Sequence, residues 1–239
     1  MTAAPGSGPP VASGSGPLEA VLFDMDGTLF DSEPLWDVSL ADLAEMLGGT
    51  LSSETRRRVI GGNLRDTTRI IHEDLGVEAD VEESAAWLLE RTRQLFALGV
   101  PWRPAAQAVV ESVRRQGIAT ALVTSSHRAL VTEVLAQLEP GLFDVVVCGD
   151  EVSRPKPDPE AYLTAAERLG VDPRNCVALE DSGRGIAAAL AAGCVVVAVP
   201  EDGAALGDGH GAVVVPLEAV TVDRLMSLLA DRVRPRLTL

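Results

Sequence analysis

Two carboxylates separated by a single residue are the first candidates for chemistry in this sequence. Asp24 and Asp26 follow the apolar run Ala20 to Phe23 and come directly before Gly27, so they lie where a predicted buried strand ends in a turn. Side chains two residues apart leave the same face of a strand unless the backbone has already turned. Two like charges held so close resist joint ionisation, so the pair requires a cation, a shared proton or two different roles.

Taken alone, these residues also fit less demanding structures. Asp and Gly are ordinary turn residues, so a solvated turn explains them without any function. A calcium loop of the EF-hand type is excluded, because that pattern needs Gly at its sixth position and Glu at its twelfth. Here Gly27 is fourth and the twelfth residue is Leu35. Other residues in the chain are needed to distinguish a solvated turn from an active site.

Each of three later predicted strands is also followed by polar side chains: Thr124, Ser125 and Ser126 after the strand 118–123, Lys156 beyond the strand 145–148, and Glu180 and Asp181 after the strand 176–179. Singly, they fit a helix cap, a solvated loop lysine and a turn pair. Lys156 stands out as the single lysine among 20 basic residues. Because the carboxyl ends of parallel strands meet at one edge of a sheet, we expect the clusters to converge.

The converged cluster would suit phosphoryl transfer. Four carboxylates at one edge would repel one another unless a hard cation lay between them, and magnesium is usually held by a few carboxylates and water. A carboxylate can attack phosphorus to form an acyl phosphate, while a neighbouring carboxyl group protonates the leaving oxygen and then activates water. Lysine, hydroxyl groups and helical N–H groups would stabilise the phosphoryl oxygens. The predicted cofactor is therefore Mg²⁺.

The elements that must position these residues follow from the periodicity of the chain. Apolar residues at three and four spacing predict helices over 35–47, from Ser53, over 64–75 and over 81–98, all between the first two strands. From residue 106 onward, helices and strands alternate, which predicts an α/β fold with a parallel sheet and helices on both faces. Residues 1–17 have the composition of a flexible tail.

Composition narrows the class of partner. The net charge of −15 argues against nucleic acid and anionic membranes, which both demand a basic surface. No apolar run reaches the roughly 18 residues of a membrane helix, and the N-terminus lacks the charged-then-apolar order of a signal peptide, so we expect a cytoplasmic protein. We also expect a monomer or weak dimer. The three cysteines are expected to be buried and unpaired.

Four motifs in this order resemble those of the haloacid dehalogenase superfamily: Asp24-Met25-Asp26-Gly27-Thr28, Thr124 after a strand, Lys156 before a proline, and Glu180-Asp181 after another strand. The match covers about residues 18–200. The helical insert, the DSE after DGTLF and the GIAAALAAG after the acidic pair resemble the subgroup of beta-phosphoglucomutase and phosphoglycolate phosphatase. The resemblance implies a Rossmann-like core of 18–31 and 100–239, a helical cap of 32–99 that closes over the site, and a Mg-dependent phosphatase acting on a small phosphorylated metabolite.

The resemblance also implies a role for each motif residue. Asp24 would be the nucleophile and a metal ligand, and Asp26 the general acid/base, whose backbone carbonyl also binds the metal. Thr124 and Lys156 would hold the phosphoryl group. The remaining motif assignments are Asp181 and Glu180 as metal ligands and Ser125 and Ser126 as phosphate contacts. Arg65, in the cap, is a further candidate for a substrate contact. One departure is Pro104-Ala105, where the subgroup usually has Pro-Gly.

Several alternatives remain at this stage. Asp26 argues against dehalogenase chemistry, which lacks this acid, and a phosphonatase would need a cap lysine that this chain does not have. A mutase of the beta-phosphoglucomutase type would need the cap to bind a second phosphate. The candidate arginines for that task, which also fit solvated helix faces, are Arg56, Arg57, Arg58, Arg65, Arg69, Arg91 and Arg93. The chain as a catalytically silent binding protein is the remaining reading.

Overall fold

A parallel sheet of six strands organises the part of the chain that the structure, a computed structural model, describes, which is residues 17–200 and 211–233. The strands are β1 (Ala20–Phe23), β2 (Ala119–Val123), β3 (Val145–Val147), β4 (Cys176–Glu180), β5 (Val195–Ala198) and β6 (Val213–Val214). Their spatial order is β3-β2-β1-β4-β5-β6. The predicted α/β fold is confirmed. The predicted tail lies outside the described residues, apart from Pro17.

The central strand β1 brings the predicted site residues together. It pairs with β2 on one side and with β4 on the other, so that Phe23 lies opposite both Leu122 and Leu179. All four residues of β1 are buried, as expected for a strand whose sheet is covered on both faces. The sheet grows from β1 to β2 and β3 on one side and to β4, β5 and β6 on the other. A ligand is therefore expected at the carboxyl end of β1, where the strand order reverses.

Five helices cover the two faces of the described sheet: α5 (Ala106–Arg115), α6 (Arg128–Leu135), α7 (Glu160–Leu169), α8 (Gly183–Ala192) and α9 (Val222–Val233). On one face Phe23 packs in a hydrophobic cluster with Val110 of α5 and Leu130 of α6. On the other face Leu22 packs in a cluster with residues of α7 and α8. The alternation of side chains along β1 thus supplies both cores.

Four helices lie between β1 and α5: α1 (Glu33–Met46), α2 (Ser53–Val59), α3 (Leu64–Leu75) and α4 (Val81–Ala97). Side-chain oxygens of Ser52, Asn63 and Asp80 accept hydrogen bonds from the first backbone N–H groups of α2, α3 and α4, which explains where these helices begin. The helices share a hydrophobic cluster of their own that includes Leu43 and Leu88. We propose 32–99 as the limits of this cap.

The two connections between the cap and the sheet run side by side. Phe30 and Trp102 form an antiparallel bridge, with their ring centroids 4.3 Å apart. Asp31 N–H donates to the carbonyl of Pro101 at 2.9 Å, and Arg103 N–H donates to the carbonyl of Leu29 at 2.8 Å. The guanidinium of Arg103 also donates to the carbonyl oxygens of Gly27 and Val199. Both connections are thereby fixed to the loops around the site.

No helix in residues 17–200 or 211–233 combines the length and the hydrophobicity needed to cross a membrane.

Candidate active site

Lys156 connects two buried carboxylates at the carboxyl ends of β1 and β4. Its Nζ donates to Asp24 Oδ1 at 2.7 Å, to Glu180 Oε1 at 2.6 Å and to the carbonyl of Val123 at 2.9 Å. The lysine is only 4% exposed. A solvated loop lysine, the less demanding reading of the sequence, is therefore wrong.

Asp181 lies beside this pair and completes a group of acidic side chains. Asp24, Glu180 and Asp181 each offer a carboxylate oxygen, and these oxygens lie within 4.8 Å of one another. Asp181 accepts a hydrogen bond from Thr28 Oγ1 at 3.1 Å. A Cβ at Gly27, which has a φ of +73°, would lie 2.3 Å from Asp181 Oδ2, so the turn after β1 needs a glycine to approach this carboxylate.

The three carboxylates of this group carry more negative charge than the ammonium of Lys156 balances. Burial and the neighbouring Glu180 raise the pKa of Asp24 well above its ordinary value, and Lys156 only partly opposes them. Burial and Glu180 likewise raise the pKa of Asp181, to about 7. Burial would lower the pKa of Lys156, but the two carboxylates that it contacts outweigh burial and raise it, so Lys156 stays charged. Clustered hard oxygen ligands are the donor set that a divalent cation such as magnesium prefers, so these residues fit a metal ion.

Asp26 has a separate set of partners. Its carboxylate accepts hydrogen bonds from Ser32 Oγ at 2.7 Å, Ser126 Oγ at 2.6 Å, Trp36 Nε1 at 3.2 Å and Thr124 Oγ1 at 3.3 Å. The backbone has turned after β1, because Leu29 and Phe30 donate back to the carbonyl of Met25. Asp24 and Asp26 therefore have different surroundings, as two carboxylates with different roles require.

The loop after β2 supplies hydroxyl groups and a helix N-terminus. Thr124 is buried, and its Oγ1 accepts from the backbone N–H of Ser126 at 2.9 Å. The imidazole of His127 caps α6 by accepting from the N–H of Ala129 at 3.2 Å. Backbone N–H groups at a helix start favour an anion. Thr124, Ser125, Ser126 and His127 all line the same pocket as Asp24 and Lys156.

The cap contributes the opposite wall of this pocket. The residues that α1 to α3 and their connections supply are Glu33, Trp36, Leu40, Arg56, Val59, Ile60, Gly61, Gly62, Leu64 and Thr67. Arg56 is the one candidate arginine among the described residues that line the pocket.

Arg65, which the sequence analysis assigned to substrate binding, is not brought to this pocket. It lies on the first turn of α3 with 75% of its side chain exposed, and it pairs with Glu82 of α4 at 2.7 Å. Leu64 and Thr67 of the same helix line the pocket and Arg65 does not, so the structure does not support the assignment of Arg65 to substrate binding.

Sequence analysis missed two groups of residues at the site. Tyr162 donates to Glu180 Oε1 at 2.6 Å and is fully buried. Burial and the charges of Glu180 and Asp24 raise the pKa of its phenol, so the phenol remains a donor. The sequence feature that could have indicated Tyr162 is that it is the only tyrosine and follows Lys156 by six residues.

Ser32 and Trp36 were missed because their contact with Asp26 depends on the register of α1.

Comparisons with known proteins agree with this geometry. Residues 18–193 match the family described as haloacid dehalogenase-like hydrolase. A protein of Thermotoga maritima named phosphorylated carbohydrates phosphatase is 36% identical over 211 residues, covering 86% of this chain and 98% of that protein. Hexitol phosphatase B of Escherichia coli is 31% identical over 198 residues, covering 76% of this chain and 83% of the other.

Solved structures of related proteins also share the fold of this chain. A Thermotoga maritima structure described as a "putative beta-phosphoglucomutase" has a TM-score of 0.64 at 32% identity, covering 89% of this chain and 99% of its own. CbbY from Rhodobacter sphaeroides in complex with phosphate has a TM-score of 0.76 at 26% identity, covering 88% and 99%. The prediction of a phosphoric monoester hydrolase is confirmed by the named phosphatases among the relatives. The motifs, the sheet order and these similarities lead to one conclusion: the chain belongs to the haloacid dehalogenase-like hydrolase family.

Proposed function

We propose that the protein is a Mg-dependent phosphatase that hydrolyses a small phosphorylated carbohydrate through a phosphorylated Asp24. The observation that carries this proposal is the contact of Lys156 with both Asp24 and Glu180, beside Asp181, at the carboxyl ends of adjacent parallel strands. The similarity to a phosphatase of phosphorylated carbohydrates supports the substrate class.

Asp24 would attack the phosphorus atom and displace the substrate oxygen. A bond forms between an Asp24 oxygen and phosphorus, and the bond from phosphorus to the leaving oxygen breaks. Asp26 gives its proton to that oxygen, so that the product leaves as an alcohol. Ser32, Ser126 and Trp36 orient the Asp26 carboxylate for this transfer.

Water completes the reaction. Asp26 now accepts a proton from a water molecule that attacks the phosphorus of phosphorylated Asp24, which releases phosphate and regenerates the carboxylate. Lys156, the hydroxyl of Thr124 and the N–H groups at the start of α6 stabilise the negative charge on the phosphoryl oxygens. Asp24 and Asp181, with Glu180 and the Asp26 carbonyl, would hold Mg²⁺, which supplies a fixed positive charge to the phosphoryl group.

The first experiment measures hydrolysis of p-nitrophenyl phosphate with and without magnesium. We expect activity that requires the metal and that falls in Asp24→Asn by at least about 10³-fold, because an amide cannot form the covalent intermediate. Unchanged hydrolysis in Asp24→Asn would refute the mechanism. Absence of any magnesium-dependent hydrolysis would favour a silent binding protein.

A mutase is the second candidate, since a solved structure at 32% identity carries the name of a beta-phosphoglucomutase. A mutase would use the same residues and would return the phosphoryl group to a second hydroxyl. Incubation with beta-glucose 1-phosphate and a bisphosphate primer separates the two. Formation of glucose 6-phosphate without net phosphate release would replace the phosphatase proposal.

A further inference from the structure

The cap wall of the pocket contains an ion cluster, which we define as Glu33, Asp37 and Arg56. Glu33 and Arg56 line the pocket, and 27% and 18% of their side chains are exposed. The Arg56 guanidinium pairs with Glu33 through Nη2 and with Asp37 through Nε. The cluster therefore joins α1 to α2 at the side of the pocket that faces the catalytic residues.

The positive charge of Arg56 is already matched inside this cluster. Two carboxylates surround one guanidinium, so the cluster carries a net charge of −1 when all three groups are ionised. Asp37 is 60% exposed, so water screens its charge more than that of Glu33. An anionic group that approached Arg56 would have to displace one of the carboxylates or meet their negative charge.

The other cap residues in the pocket provide no second cation. Apart from Glu33 and Arg56, the described lining residues from the cap are apolar, aromatic, glycine or threonine. On the core side the described lining holds Lys156, bonded to Asp24 and Glu180, and His127, whose Nε2 lies 3.2 Å from Asp150 Oδ2. A phosphoryl group attached to Asp24 lies beside the Lys156 ammonium, whereas a second phosphate on the cap side would find no cation in the described lining that lacks a carboxylate partner.

Hydroxyl groups fit the same wall well. A hydroxyl can donate to a carboxylate oxygen and accept from a guanidinium N–H, and the cluster presents both groups next to each other. Trp36 and Leu40 of the same wall provide apolar surface for the carbon chain of a sugar or polyol. The pocket therefore matches a ligand that is charged at one end only.

We propose that the ion cluster selects phosphomonoesters whose remaining part is uncharged and hydroxyl-bearing, and that it rejects substrates with a second phosphate. This inference rests on the proposed function and makes it more specific. It also separates the phosphatase from the mutase, because a mutase has to hold a bisphosphate in its pocket.

The test compares two matched pairs of substrates in the presence of magnesium. One pair is fructose 6-phosphate and fructose 1,6-bisphosphate, and the other is glucose 6-phosphate and glucose 1,6-bisphosphate. We expect kcat/KM to be at least about tenfold higher for a monophosphate than for its bisphosphate. In Glu33→Gln, which leaves the cluster without net charge, we expect this ratio to fall by about tenfold, mainly through a lower KM for the bisphosphate.

Two further variants make the result specific. Glu45→Gln makes the same charge change on the same helix at an exposed residue outside the pocket lining, and it should leave the ratio unchanged. Asp37→Asn changes the exposed member of the cluster and should shift the ratio in the same direction as Glu33→Gln. If thermal unfolding shows that Glu33→Gln does not fold, Asp37→Asn replaces it in the test.

Two results would overturn the inference while leaving the proposed function intact: equal wild-type kcat/KM for the two members of both pairs, or an unchanged ratio in the folded cluster variants. Hydrolysis of p-nitrophenyl phosphate without hydrolysis of either sugar monophosphate would overturn both the inference and the proposed carbohydrate substrate class. Failure of the proposed function looks different, because p-nitrophenyl phosphate would then not be hydrolysed in an Asp24-dependent way.

Discussion

The ammonium of Lys156 occupies a site that suits a small cation. Asp24, Glu180 and the carbonyl of Val123 accept from it within 3 Å, and the hydroxyl of Tyr162 lies 3.4 Å away. A guanidinium spreads its donors over a plane and needs more room than an ammonium. Because the residue is buried, the surroundings cannot yield to solvent to make that room.

Lys156→Arg should therefore lose activity even though the charge is kept. We expect kcat/KM for p-nitrophenyl phosphate to fall by about 10² or more, the size of effect seen when a donor to the transition state is misplaced. The matched control is Arg154→Lys, on the same loop with 68% of its side chain exposed, which should retain normal turnover. Near-normal turnover in Lys156→Arg would remove Lys156 from the site.

The sequence was informative about single residues wherever a strand end determined their position. Asp24, Thr124, Lys156 and Asp181 were found because the ends of parallel strands converge regardless of small errors in the element bounds. Arg65 was misplaced because a shift of one residue on a helix rotates a side chain by about 100°.

Ala105 is the element-scale feature with the clearest energetic consequence. It precedes α5 and has a φ of +64°, the left-handed region that costs a residue with a Cβ roughly 1–2 kcal/mol. The sequence has Ala at this position, where the subgroup that it resembles usually has Gly. The left-handed conformation is present, so strain is stored in this turn.

Ala105→Gly should stabilise the protein by about 1 kcal/mol, because relief of the left-handed strain exceeds the added entropy of the unfolded chain. Ala108→Gly, at an exposed position in the first turn of α5, should destabilise it by up to about 0.5–1 kcal/mol. Urea unfolding of both variants measures these opposite signs. A loss of stability in Ala105→Gly would show that the turn is not strained.

Helix ends were the least predictable part of the elements, for local chemical reasons. The α6 helix begins at Arg128, where the imidazole of His127 serves as its cap, and His is not a usual capping residue. The α1 helix begins at Glu33 because Pro34 fits the first helical turn, where its missing N–H is not needed.

At the scale of the whole molecule, binding of the proposed Mg²⁺ by the acidic group between β1 and β4 would couple folding to cation binding. The folded chain brings Asp24 and Asp181 together across 157 positions of the sequence, and the unfolded chain does not. A ligand that binds only the folded state stabilises it by about 2.7 kcal/mol at a hundredfold excess over its Kd.

Addition of MgCl₂ should therefore raise the melting temperature of the wild-type protein by several degrees, about 5 °C or more at saturation. Asp181→Asn should largely abolish this shift, because the metal loses a charged ligand. Asp74→Asn, an exposed residue near the end of α3, should leave the shift unchanged. An equal shift in all three proteins would indicate a general salt effect, and EDTA with the wild-type protein gives the baseline.

The three cysteines are part of the hydrophobic packing around the sheet. Cys148, Cys176 and Cys194 are free and buried, as the composition predicted, and burial raises the pKa of Cys148 to about 12. These thiols pack as small apolar side chains around the sheet.

The first turn of α1 has a consequence for how new specificities can evolve on this scaffold. Ser32 and Trp36 bond to the proposed proton donor Asp26, and Glu33, between them, lines the pocket. A mutation that adapts this turn to another metabolite would also disturb proton transfer. Thr67 and Leu64, on a different helix of the same pocket, carry no contact with Asp26 among the described bonds, so adaptation is freer there.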